Sequence, residues 1–200
     1  MGWIRTGYPR NAMSINYRRV AKAIKKYQKL GYTYIDTPWL VSDEAVTATL
    51  PPNRIGFELG HPTLKPGRLV GSAEQGFIQM MLDDKLRPGH YVSAGPCFRD
   101  EDPVDRLHQY AFFKVELISY AGTSSLTETA ARIMANDADT VLYDMYGHGG
   151  RVVKTPEGWD IEVEGVEVGS YGVREHKGHR WAYGTGLALP RTSQAYKVRE

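Results

Sequence analysis

Apolar residues recur at helical spacing over residues 15–30 (INYRRVAKAIKKYQKL). Ile15, Val20, Ala23, Ile24, Tyr27 and Leu30 share one face there, and Lys and Arg take the other. Gly31 is placed to end that helix. The period then drops to two at Tyr32-Thr33-Tyr34-Ile35-Asp36, a strand that Pro38 stops. Residues 51–67 are rich in Pro and Gly and read as a loop. Ser72-Ala73-Glu74-Gln75 opens a helix running to about Asp84, and His90 to Ala94 is a short strand. Residues 96–116 (PCFRDEDPVDRLHQYAFFKVE) then set two apolar, β-prone runs about a charged turn. Ser125-Leu126-Thr127-Glu128 fits a capping box for a helix reaching about Tyr146. Strands and turns return from Arg151 to Leu189, and residues 190–200 read as a short final helix. Helix, strand, helix, long hairpin, helix and strands predict an α+β fold with a largely antiparallel sheet flanked by helices.

Composition narrows the class. Two hundred residues at 42% hydrophobic content bury one substantial core, or at most a core plus a small appendage, and residues 1–200, without repeats or an obvious linker, are read as one domain. A formal charge of +2 gives no general polyanion-binding surface. A single cysteine, Cys97, excludes an internal disulfide framework and a multi-cysteine zinc site, and is read as a buried small hydrophobe. No apolar run is long enough to span a bilayer, and MGWIRTGYPR lacks the apolar stretch of a signal peptide. A soluble, cytoplasmic domain with no membrane partner is expected.

The hairpin carries the chemistry. Phe98-Arg99-Asp100-Glu101-Asp102 ends its first run, and the second returns with His108, Phe112, Lys114 and Glu116. It offers a guanidinium to a phosphate, a carboxylate to an amine and an aromatic face to a base. Those are the parts needed to hold a nucleotide beside a charged small molecule. An exposed hairpin with ordinary surface charges is the bland alternative for an isolated FRDE, but matching parts lie elsewhere in the chain. Histidines 148, 176 and 179 lack metal-ligand spacing and read as exposed in polar loops.

Three stretches, in order, resemble the signature motifs of class II aminoacyl-tRNA synthetases. They are Gly31 to Pro38 after its helix, Phe98-Arg99-Asp100-Glu101 through Phe112, and Gly184-Thr185-Gly186-Leu187-Ala188-Leu189-Pro190-Arg191. Within the class, the chain resembles seryl-tRNA synthetases in four places. These are Tyr91 to Arg99, His108-Gln109 with Lys114-Val115-Glu116-Leu117, Ser72-Ala73-Glu74 in place of a Thr-Ala-Glu loop, and Thr185 to Thr192. The resemblance implies that fold and ATP-dependent amino-acid activation, with serine or another small amino acid as substrate. It has no counterpart of the N-terminal coiled-coil arm that serves tRNA. Any contact with tRNA would fall to Arg106 in the hairpin turn and to the basic helix of Arg18, Arg19, Lys22, Lys25 and Lys26, a helix that reads first as a solvated polar face.

By position, the resemblance makes Arg99 and Arg191 catalytic. Arg99 would bridge α-phosphate and substrate carboxylate, Glu101 would accept from the adenine amino group, and Phe112 and Arg191 would stack on its two faces. Phe112 also reads as core packing, while Gly184 and Gly186 are taken to let a ligand approach beside Arg191. Mg²⁺ is implied, held by Glu167 and Glu162, acids that also fit the solvated face of a strand. The amino-acid pocket would comprise Ser72, Glu74, Glu116, Ser170 and Thr185. A homodimer, and tRNA or a carrier protein as acceptor, follow from the same likeness. Three classes are open: an activating enzyme, a non-catalytic paralogue binding amino acid or nucleotide, and a module keeping only the fold. The joint presence of Arg99, Glu101, Phe112, Glu167 and Arg191 favours the first.

Overall fold

The protein is described from a computed structural model, which covers residues 15–50, 57–59, 67–100, 105–122 and 128–198. Helix α1 (Tyr17–Lys29) is capped by Asn16, whose side chain accepts from the Arg19 N–H at 3.2 Å, and it buries Val20, Ala23 and Tyr27. Gly31 ends it with φ at +94°, a conformation that glycine adopts without strain. The strand expected at 32–36 is only Thr33–Tyr34 (β1), because its one neighbour pairs at just two positions.

Of the loop expected at 51–67, residues 51–56 and 60–66 lie outside the described residues, while Glu58–Leu59 and Gly67 belong to a small sheet. Leu40–Val41 (β2), Glu58–Leu59 (β3) and Gly67–Leu69 (β4) pair in the order β2-β4-β3, beside a short helix α2 (Asp43–Thr47) capped by Ser42. Strands of two or three residues are too short to display a period of two, so no alternation in the sequence revealed them. Helix α3 (Ala73–Leu82) follows, with Ser72 accepting from the Glu74 N–H at 3.3 Å.

The main sheet has seven strands in the order β1-β5-β6-β10-β9-β8-β7, all neighbours antiparallel except β1 and β5. They are β5 (Gly89–Phe98), β6 (Ala111–Tyr120), β7 (Arg151–Lys154), β8 (Gly158–Val163), β9 (Val166–His176) and β10 (His179–Leu189). The long β5 absorbs both the short strand and the first run of the hairpin. Helix α4 (Glu128–Tyr146) ends where expected, while the capping residues Ser125 to Thr127 lie outside the described residues. The final helix, α5, is five residues, Arg191–Ala195.

The sheet's two faces differ. One buries Val92, Val115, Leu117 and Leu187 beneath α1 and α4. On the other, Ile118, Tyr120 and Trp181 pack on Phe77, Ile78 and Met81 of α3. Each such large side chain, fully buried, contributes roughly 1.5–3 kcal/mol. Further along that second face the side chains turn polar: Ser93, Lys114, Glu116 and Thr185 are all buried. Buried polar groups in that number require partners, and they mark where the sheet stops being only a scaffold. Of the basic α1 residues, Lys26 pairs with Asp144 of α4 at 2.6 Å and Arg19 donates to Ser193 at 3.0 Å; Arg18, Lys22 and Lys25 are exposed.

Candidate functional site

A cavity of about 370 Å³ opens on the second face, and the sequence-named residues gather around it. Arg99, Phe112, Arg191, Glu167, Ser72, Glu74, Glu116, Ser170 and Thr185 all line it. They come from the residue that follows β5, from strands β6, β9 and β10, and from the starts of α3 and α5, so distant segments converge. Glu101 lies outside the described residues. Glu162 does not line the cavity; its carboxylate accepts from Arg151 at 2.6 Å.

At one end, Arg99 donates from Nε to the Gly71 carbonyl at 2.9 Å, and its guanidinium sits 5.2 Å from the centre of the Phe112 ring. Its terminal NH₂ groups have no partner among the described residues, so they are available to an anion. Phe112 is half-buried and faces the cavity, not the core. Arg191 lies 3.6 Å from Glu167, a loose contact that leaves both side chains reachable.

The period of β9 alone would not bring Glu167 and Ser170 to one face. The β8–β9 register slips between Ile161 and Glu162, and this bulge lets two residues three apart line the same cavity. A second slip between Thr185 and Leu187 does the same for Thr185 and Ala188 on β10.

The inner end is held by two ion pairs. Glu116 accepts from Ser72 Oγ at 2.6 Å, from the Glu74 N–H at 3.3 Å, and from Lys114 Nζ in a short contact. Burial works to raise the Glu116 carboxyl, but the Lys114 ammonium, the Ser72 hydrogen bond and Arg99 outweigh it and hold it below the usual carboxylate range. Glu74 has both oxygens engaged, one by Arg174 at 2.5 Å and the other by Trp181 Nε1 at 2.7 Å. The Arg174 guanidinium also stacks on Tyr183, 3.8 Å from the ring centre.

Lys114 was named from sequence only as part of the hairpin, without a role in the pocket, and Arg174, Trp181 and Tyr183 were not named. A signal existed for these last three. On β9, Ser170 and Arg174 are four apart, and on β10, Trp181, Tyr183 and Thr185 alternate, so a period of two from either named residue reaches the others.

Two expectations are corrected. Gly184 lines the cavity, but the space a side chain would take at Gly184 and Gly186 is filled from the other side: a Cβ at Gly184 would meet Tyr171 at 2.2 Å, and one at Gly186 would meet Tyr27 at 2.8 Å. These glycines admit core tyrosines from the helix-covered face. Nor are His176 and His179 exposed in loops; they are half-buried strand ends, bonded to Glu44 at 3.1 Å and to Tyr120 at 2.6 Å. Cys97 is buried on β5, and burial pushes its thiol up to about 12.

Among the described residues no three His, Cys, Asp or Glu side chains converge as a metal site. Mg²⁺ ordinarily takes only one or two carboxylates and fills its shell with phosphate oxygens and water. Glu167, at the cavity and near Arg191, fits that mode; a cage made by protein alone does not.

No family model matches the chain. Two curated relatives are serine–tRNA ligases. That of Methylobacterium sp. (strain 4-46) is 33% identical over 122 residues, covering 52% of this chain and 28% of its own. That of Rhodospirillum centenum is 30% identical over 125 residues, covering 58% and 29%. The match therefore spans less than a third of the relatives' own length. Among solved structures, the cytoplasmic serine–tRNA ligase of Naegleria fowleri in complex with AMP superposes with a TM-score of 0.68. It is 17% identical, and the match covers 88% of this chain and 47% of that one. The chain has the class II aminoacyl-tRNA synthetase fold. Pyrrolysyl-tRNA synthetase of Desulfitobacterium hafniense has that fold too, with a TM-score of 0.66 at 15% identity, over 90% of this chain and 69% of its own. In this class II core, the sequence likeness is to the serine ligases. No helix among the described residues is long and apolar enough to cross a membrane.

Proposed function

We propose that this class II core activates an amino acid with ATP, forming an aminoacyl adenylate that is passed to tRNA or another acceptor. The observation that carries the reading is one cavity with two unlike ends. Arg99, Phe112 and Arg191 offer two cations and an aromatic face at one end, and Glu116, Ser72 and Thr185 form a buried polar recess at the other. The likeness to serine ligases, one of whose structural counterparts is in complex with AMP, supports the same reading.

In this reading the amino-acid carboxylate attacks the α-phosphorus of ATP, a P–O bond forms, and the bond to pyrophosphate breaks. No protein nucleophile is needed. Arg99 neutralises the α-phosphate and the incoming carboxylate, and so acts where charge crowds in the transition state. Phe112 holds the adenine by stacking, and Arg191 neutralises the far phosphates. Glu116 takes the substrate ammonium. Bound through Glu167, Mg²⁺ would neutralise triphosphate charge that two arginines cannot balance. Serine or another small amino acid is the proposed substrate. The test is magnesium-dependent ATP–pyrophosphate exchange across the twenty amino acids. Exchange with one small amino acid is expected, and ATP binding without any exchange would make the chain a non-catalytic paralogue instead.

A further inference from the structure

Both carboxylates of the recess already carry a cation. An incoming ammonium therefore needs an acceptor that is not fully committed, and the two sites are not equivalent in this. Glu74 is 5% exposed, with Trp181 on one oxygen and Arg174 on the other. Its cation cannot easily step aside, because the guanidinium is stacked on Tyr183 at 3.8 Å. Glu116 accepts three hydrogen bonds, and a carboxylate has about four lone-pair positions. Its cation, Lys114, is a rotatable ammonium on a flexible stem. The ammonium seat therefore belongs to Glu116.

That leaves Arg174 with a different task. It stands four residues beyond Ser170 on β9, about 13 Å along the strand, and lines the cavity at the end away from Arg191. A guanidinium has five N–H donors and no acceptor. One donor is committed to Glu74, and the side chain remains 34% exposed. An apolar group pressed against it would bury donors without a partner, whereas a hydroxyl or carbonyl oxygen would satisfy one.

We propose that Arg174 is the specificity-determining residue of the recess: fixed between Glu74 and Tyr183, its guanidinium selects a small amino acid whose side chain carries a hydrogen-bond acceptor. This rests on the reading of the recess as an amino-acid pocket. The stacked Arg174–Tyr183 pair lines the cavity at the same place, so a long side chain would run into it.

The test is calorimetric titration of the protein with L-serine, L-alanine and L-leucine in the presence of α,β-methylene-ATP, which cannot turn over. The wild type should bind serine at least about tenfold more tightly than alanine or leucine. The double variant Arg174→Met, Glu74→Gln removes both charges together, so that no carboxylate is orphaned in the core. It should bring the serine-to-alanine ratio to about one and admit leucine, with affinity for the ATP analogue unchanged. Circular dichroism checks that it folds; if it does not, Arg174→Lys, which keeps the charge but not the planar fork, should lose most of the preference. A ratio that does not move in the folded variant overturns the proposal, as does a wild type that binds no amino acid or prefers alanine. A preference that shifts with Arg174 while pyrophosphate exchange stays absent sinks the activation reading and leaves this one standing. Exchange with an unshifted preference does the reverse.

Discussion

The cavity concentrates charge in a small volume, and two residues there lend themselves to decisive substitution. Arg99 is anchored by the Gly71 carbonyl and by Phe112, so its guanidinium is positioned before any ligand arrives. Arg99→Ala should cost about 2–4 kcal/mol of transition-state stabilisation, or roughly 30- to 900-fold in exchange rate. Unchanged exchange and ATP affinity would remove Arg99 from the mechanism. Glu116 makes a prediction about pH. Its carboxyl is held below the ordinary range in the folded protein, so its ionised form stabilises the fold above that range. That stability is lost as pH falls through the depressed native value, where Lys114 loses its partner. Acid unfolding followed by circular dichroism should show the loss, and Glu116→Gln should flatten the acid limb attributable to this group. An unaltered acid limb in that variant would assign the acid sensitivity elsewhere.

At the scale of elements, the site depends on where the sheet departs from regularity. Slips on β8–β9 and on β10 re-aim Glu167 and Thr185 into the cavity, and Gly184 leaves room for Tyr171 behind it. Gly184→Ala places a Cβ 2.2 Å from the Tyr171 ring, which is fully buried and donates to the Thr185 carbonyl at 2.5 Å. Overpacking of this kind costs about 1–3 kcal/mol. Thermal unfolding should record a lowered midpoint; an unchanged midpoint would mean the tyrosine can move aside. These same irregularities explain what could be read from sequence. Helix α1 was legible from sustained periodicity, α3 and α4 from the residues that open them, and the long hairpin from two apolar runs about a charged turn. So was the convergence of Arg99, Phe112, Glu116, Thr185 and Arg191, through the order of the motifs. The strands β2, β3 and β4 were too short to show a period. The period of two places Arg174 and Trp181 on the cavity face with Ser170 and Thr185, but their contacts with Glu74, 100 and 107 residues away, are encoded by no local pattern, so their task was missed.

On the scale of the whole molecule, one face of the sheet is closed by α1 and α4 and the other carries α3 and the cavity, which leaves an edge of the sheet as a surface for association. Among the described residues, the edge strand β1 pairs with β5 alone, and its outer backbone has no sheet partner there. Around it the surface is apolar: Tyr34 is 36%, Trp39 55% and Leu40 40% exposed. Exposed aromatic and aliphatic groups beside an uncovered strand suit a self-complementary contact about a two-fold axis, and the stretch from Gly31 to Pro38 resembles the pairing element of class II synthetases. A homodimer is therefore expected. Trp39 should sit near its centre, where a large aromatic contributes most, often 2 kcal/mol or more in comparable interfaces, roughly thirtyfold in dissociation constant. Its ring also covers Gly95, so the substitution must preserve that cover: Trp39→Lys keeps an aliphatic stem over the glycine while setting like charges against each other across the axis. Sedimentation velocity at tens of micromolar should show a dimer for the wild type and mainly monomer for the variant. A wild type that sediments only as monomer, or a variant dimer of undiminished strength, would place the contact elsewhere or remove it.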